Sequence, residues 1–180
     1  MLTPGAGSYP DLASAFAAIN AGTHTGAITV DIVGNTTETV SAVLNASGVG
    51  AASYTNIFIQ PSGGGPRTIT GAITGILIDL NGADAVFIDG LNTGGNSLTI
   101  SNTATGASNT IRFIGDASGN TIQNCILQGS ASTASNGVVF FSTGTSTGND
   151  GNNINNCNIT AAGANLPVNC IFFFGYQLDY

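Results

Sequence analysis

The sequence predicts an all-β fold, a right-handed parallel β-helix whose three-sided solenoid of about five coils follows a short N-terminal capping helix. Three observations predict it. One amphipathic helical segment precedes a long array of short β-segments divided by Gly, Asn, Ser and Thr. Apolar residues then recur in three ladders, always in the same cyclic order, at intervals of 26 to 35 residues. Finally, the motif N-x-I-x-N-C-x-[IL] occurs twice, at Asn120–Leu127 and at Asn152–Ile159.

Composition sets the class. A chain of 180 residues, 42% of them hydrophobic, suits one domain with a substantial core. Only 6% are charged, where about a quarter is usual. Lysine does not occur, and Arg67 and Arg112 are the only arginines. Solubility therefore rests on Thr, Asn, Ser and Gly, as in extracellular β-repeat proteins, which points to a secreted or bacterial cell-surface location. A net charge of −7 without a basic run argues against nucleic-acid binding, because phosphate neutralisation needs several cations on one face. No apolar run reaches the length of a membrane span. The start, Met1–Gly5, lacks the basic and apolar regions of a signal peptide, so either one was removed or the chain is a fragment of a longer one. Three cysteines without C-x-x-C spacing do not make a disulfide framework or a zinc site.

Taken as a single β-helix domain over 1–180, the chain opens with a cap at residues 9–22. Asp11 suits the N-cap, Leu12, Phe16 and Ile19 fall on one helical face, and Gly22 stands where the helix would stop. Such a helix would plug the first coil and hide its open strand edges. The coils occupy residues 28–174. The first ladder runs through Ile32, Ile59, Ile88, Ile122 and Ile154. The second runs through Val40, Ile69, Ile100, Ile126 and Ile159, and the third through Ile78, Phe113, Phe140 and Phe173.

Two positions after the members of the first ladder stand Gly34, Pro61, Gly90, Asn124 and Asn156. Gly and Asn tolerate a left-handed backbone, so a tight bend is expected there, with Asn side chains hydrogen-bonded along the helix axis. Pro61 implies a different turn in the second coil. The run Val168–Tyr180 ends the array without a charged or helical cap. Either the natural chain continues, or this coil edge meets a partner, self-association included.

The cap helix, the Asn corner and the strand pattern Ala83–Leu91 resemble the pectate-lyase-like right-handed parallel β-helix superfamily. More narrowly, the chain looks like the Thr/Asn-rich β-helix modules of large bacterial secreted and cell-surface proteins. The resemblance implies fold and not activity, since that superfamily includes lyases, hydrolases, esterases, tailspikes and adhesins. In the lyases, calcium-binding Asp residues and an Arg share one strand face. The hydrolases cluster Asp residues.

Candidate chemistry is sparse. Asp79, Asp84 and Asp89 recur every five residues and could serve as acid and base on an acidic polysaccharide, with Asp84 and Asp89 as Ca²⁺ candidates. Their positions on different sides of a coil favour solvated turn and strand-edge acids instead. Arg112 points outward by alternation, either to clamp an anion or to pair with a neighbouring acid. His24 reads as an exposed loop histidine. Cys125 and Cys157 hold equivalent positions and read as stacked core thiols, with a bridge between coils as the alternative. Phe58 and Phe87 point outward in adjacent coils, as do Val139 and Phe172 on the third ladder; such aromatics either form a sugar-contacting stripe or lie under a covering loop. Variable coil length argues against a flat Thr array for ice. No cofactor signature appears. The favoured function is a non-catalytic extracellular module: a spacer, an adhesin or a glycan-contact segment. The alternative is a polysaccharide lyase or glycoside hydrolase.

Overall fold

A computed structural model describes residues 2–3 and 7–174. After β1 (Leu2–Thr3) and α1 (Leu12–Asn20), fifteen strands wind as five coils of three. The first coil is β2 (Thr25–Ile32), β3 (Thr36–Glu38) and β4 (Ala42–Asn45), and the second is β5 (Ser53–Pro61), β6 (Pro66–Gly71) and β7 (Ile76–Asn81). The third is β8 (Val86–Asp89), β9 (Ser97–Asn102) and β10 (Asn109–Ile114). The fourth is β11 (Thr121–Gln123), β12 (Cys125–Gly129) and β13 (Val139–Phe141). The fifth is β14 (Asn153–Asn155), β15 (Asn158–Ala161) and β16 (Ile171–Phe173). Corresponding strands of successive coils pair in parallel, giving three sheets: β2-β5-β8-β11-β14, β3-β6-β9-β12-β15 and β4-β7-β10-β13-β16. The fold is thus a β-solenoid with a helix at its first coil. β1 adds antiparallel to β2, pairing Leu2 with Val30.

The cap is held by polar groups as well as by its apolar face. Leu12, Ala15, Phe16 and Ile19 are buried against the first coil. Asp11 accepts from Ser14 N at 2.8 Å as an N-cap should. The carboxylate of Glu38, on β3 and buried, accepts from Leu12 N at 3.0 Å and from Ala13 N at 2.9 Å. At the other end of α1, Asn20 donates from Nδ2 to Val43 O and accepts at Oδ1 from Asn45 N. One side-chain amide thereby stands in for the strand that β4 lacks on that edge.

Inside, the first ladder is Val30, Ile59, Ile88, Ile122 and Ile154. Its first member is Val30, not Ile32, which pairs with Pro61; both face inward, so the expected ladder began one pleat late. The second ladder is Thr36, Ile69, Ile100, Leu127 and Ile159. Ile126 is displaced by one from the expectation because Leu127, not Ile126, faces the core, and Val40 lies exposed after β3. The third sheet sends two columns inward: Ile78, Ile111, Val139 and Ile171, then Leu80, Phe113, Phe141 and Phe173. Ile78 and Phe113 therefore belong to separate columns, and Phe140 faces outward with Phe172 while Val139 faces in. Apolar runs such as Cys-Ile-Leu and Val-Phe-Phe carry no alternation to fix their phase.

The Asn corner holds at two of its five positions. Asn124 and Asn156 have φ of 56° and 49°, and Asn156 Nδ2 donates to Asn124 Oδ1 at 2.7 Å. Gly34 and Gly90 are not left-handed. At Gly90 the requirement is space: a Cβ would run into the Asn124 carbonyl of the next coil. The left-handed turn moves to Leu91 and Asn92, with φ of 62° and 49°.

In the fifth coil the inward Ile154 and Ile159 are only half-buried and Phe173 is 67% exposed. Gly175–Tyr180, the remainder of the apolar terminal run, lie outside the described residues, as do Met1 and Pro4–Ala6.

Candidate functional site on the outer face of the first sheet

The carboxylates singled out from sequence do not come together. Asp79 faces outward from the third sheet, where Arg112 in the next coil grips it with both arms: Nε to Oδ1 at 2.9 Å and Nη2 to Oδ2 at 2.6 Å. The bidentate pair ties the two side chains to each other, away from Asp84 and Asp89. Asp84 lies in the connection before β8 and accepts from Ser118 N at 2.7 Å. Asp89 ends β8 and accepts from Gln123 Nε2, Asn124 Nδ2 and Leu91 N. Burial pushes its carboxyl up, but the hydrogen bonds from Asn124, Gln123 and Leu91 outweigh this and hold it below the usual range. Among the described residues, no three His, Cys, Asp or Glu side chains gather as a metal site.

A fourth acid, Asp116, was not singled out by sequence. Its carboxylate is wrapped by the loop of the following coil, accepting from Thr145 N, Ser146 N, Gly148 N and the Thr145 and Ser146 hydroxyls. Those bonds, the Thr145 hydroxyl first, hold it well below the usual carboxylate range. This strongly perturbed acid organises a loop. His24, expected in an exposed loop, is buried: Tyr9 comes down over it, the Tyr9 hydroxyl 2.7 Å from Nε2.

The aromatics fare differently. Phe58 and Phe87 are register partners in adjacent coils, and their rings stack 4.9 Å apart at 16°. The strand spacing of about 4.8 Å sets that separation. Phe58 is 42% exposed and Phe87 is half-buried, so Phe58 is the ring left open to solvent. Thr29 and Thr121 continue the same outward column on either side.

Beside this column runs a second, polar one: Asp31, Gln60, Asp89, Gln123 and Asn155. Gln60 Nε2 donates to Asp31 at 3.0 Å and Gln123 Nε2 donates to Asp89 at 2.7 Å, so acid and amide brace one another in two pairs. Phe58, Phe87, Gln60, Asp89, Thr121 and Gln123 together line a shallow groove. An apolar floor beside oriented amide and carboxylate oxygens can take a ligand that is apolar on one face and hydroxylated at its edges.

Sequence reasoning found the rings but not the polar column, although the signal was present. Gln60, Asp89 and Gln123 each follow a first-ladder Ile by one residue, and alternation sends all three outward. No helix among the described residues is long and apolar enough to cross a membrane. No family model, curated protein or solved structure matches this chain.

Proposed function

We propose that the chain is a non-catalytic β-helix module of a secreted or cell-surface protein, and that it contacts glycan chains through the outer face of its first sheet. One observation carries the reading: an outward, stacked Phe58–Phe87 pair with Phe58 exposed lies directly beside a braced ladder of amides and carboxylates. A sugar packed across the solvent-side edges of the stacked rings would present its hydroxyls to Gln60, Asp89 and Gln123. The cap helix, the Asn corner and the Ala83–Leu91 pattern around β8 support placing the chain with pectate-lyase-like β-helices. The dispersal of Asp79, Asp84 and Asp89 over separate structural partners disfavours a lyase or hydrolase.

Electrophoresis through gels containing pectin, alginate, xylan or β-glucan tests this. At least one polymer should retard the protein. Phe58→Ala and Phe87→Ala should each weaken binding by about tenfold, or ~1.4 kcal/mol, without moving the unfolding midpoint by a comparable amount. Equal retardation of the double variant, or none with any polymer, would remove the proposal. Steady release of unsaturated sugars, abolished by Asp84→Ala, would replace it with the lyase reading.

A further inference from the structure

We propose that Cys125 and Cys157 are a covalent modification site: meeting a small-molecule disulfide, the folded protein closes a bond between them that staples the fifth coil to the fourth. The register that pairs Ile126 with Asn158 sets the two cysteines side by side on neighbouring parallel strands. Such neighbours lie about 4.8 Å apart, within the roughly 4.4–6.8 Å of Cα separation that a disulfide spans. Their side chains also point the same way. Cys125 Sγ lies 3.1 Å from Gln123 O and 4.0 Å from Ile88 O; Cys157 Sγ lies 3.3 Å from Asn155 O and 3.5 Å from Ile122 O. Each sulfur thus touches the carbonyl two residues back and that of the ladder Ile one coil earlier. The sulfurs are stacked copies of one position.

The two thiols differ in ways that assign their roles. Cys157 is half-buried and within reach of solvent, whereas Cys125 is 2% exposed. The neighbouring Cys125 thiol draws Cys157 down from the ordinary thiol value, whereas the neighbouring Cys157, followed by burial, holds Cys125 up. Cys157 as thiolate attacks one sulfur of oxidised glutathione, forming a mixed disulfide and expelling one glutathione thiolate. Cys125 then loses its proton and attacks the Cys157 sulfur, expelling the second. Two protein thiols are oxidised to one disulfide while oxidised glutathione is reduced to two glutathiones. The bond would fasten the coil that packing holds least, the one in which Ile154 and Ile159 are half-buried. Cys170 is exposed just before β16 and stands outside this column.

Thiol mapping decides the matter. Cys170→Ser protein, folded, is incubated with oxidised and reduced glutathione at about pH 8, quenched in acid, unfolded and alkylated. Both remaining thiols should be lost to alkylation with a mass decrease of two hydrogens, and proteolysis should give one peptide pair joined through Cys125 and Cys157. Cys125→Ser in the same background should instead accumulate glutathione on Cys157. Two alkylatable thiols, a stable mixed disulfide on Cys157 with Cys125 present, or disulfides only between chains would each overturn the proposal.

Discussion

A residue such as Asn124 combines three duties. It adopts φ of 56°, its Oδ1 accepts from Asn156, and its Nδ2 donates to Asp89. Alanine would keep the strained backbone, at about 1 kcal/mol more than Asn, and forfeit a hydrogen bond to an ionised carboxylate worth about 1.5–3 kcal/mol. Asn124→Ala is therefore expected to lower stability by about 2–4 kcal/mol at pH 7, read from urea unfolding, with Asn124→Gly losing about 1 kcal/mol less. The loss should also depend on pH. Asp89 is held below its unfolded value, so its contribution is full above an ordinary carboxyl pKa of about 3.9 and fades as pH falls through the folded value. Removing Asn124 raises that folded value. The cost of the substitution should consequently shrink between pH 7 and about pH 2.5, and a pH-independent cost would contradict the Asn124–Asp89 linkage.

Elements are joined to one another through single side chains, and α1 shows this best. Its first two amides end on Glu38, a carboxylate from β3 that also accepts from Thr36 Oγ1. Glu38→Ala would strand two backbone N–H groups at a helix start, each costing about 1–3 kcal/mol where buried, and should destabilise the protein by about 2–4 kcal/mol. Glu38→Gln keeps one strong acceptor and should lose less than half as much; equal losses in urea unfolding would mean that Glu38 matters by packing alone. Asp11 and the Leu12–Phe16–Ile19 face were legible in the sequence because capping and helical periodicity are local. Glu38 was not, because its partners lie 25 and 26 residues away and nothing local distinguishes it from a solvated acid. The same division explains the ladders. Ile59, Ile88, Ile122 and Ile154 were readable since each is flanked by polar or outward positions, whereas Ile126 and Phe140 sit in unbroken apolar runs whose phase only pairing decides. At the candidate site the outward placing of Phe58 and Phe87 followed from one correct register; the acid–amide column two residues further along each strand was implicit in that register but was not drawn from it.

At the scale of the whole molecule, each coil touches only its neighbours, so stability is a sum of local terms and interfaces rather than the property of one closed core. Ile88 is 1% exposed and packed between Ile59 and Ile122; Ile154 is half-buried and has a ladder neighbour on one side only among the described residues. Ile88→Ala should therefore cost about 3–4 kcal/mol and speed amide exchange across the second to fourth coils. Ile154→Ala should cost no more than about 1–2 kcal/mol, with faster exchange confined to β14, β15 and β16. Equal costs, or exchange that spreads through all coils from Ile154, would show a cooperative unit where a chain of interfaces is expected. The distinction bears on function, because Phe58 and Phe87 belong to the second and third coils, which have a paired coil on each side. A binding face built there is held rigid by its neighbours, so Ile154→Ala should leave glycan retardation unchanged even as the fifth coil loosens, and only damage to the inner coils should reach the rings.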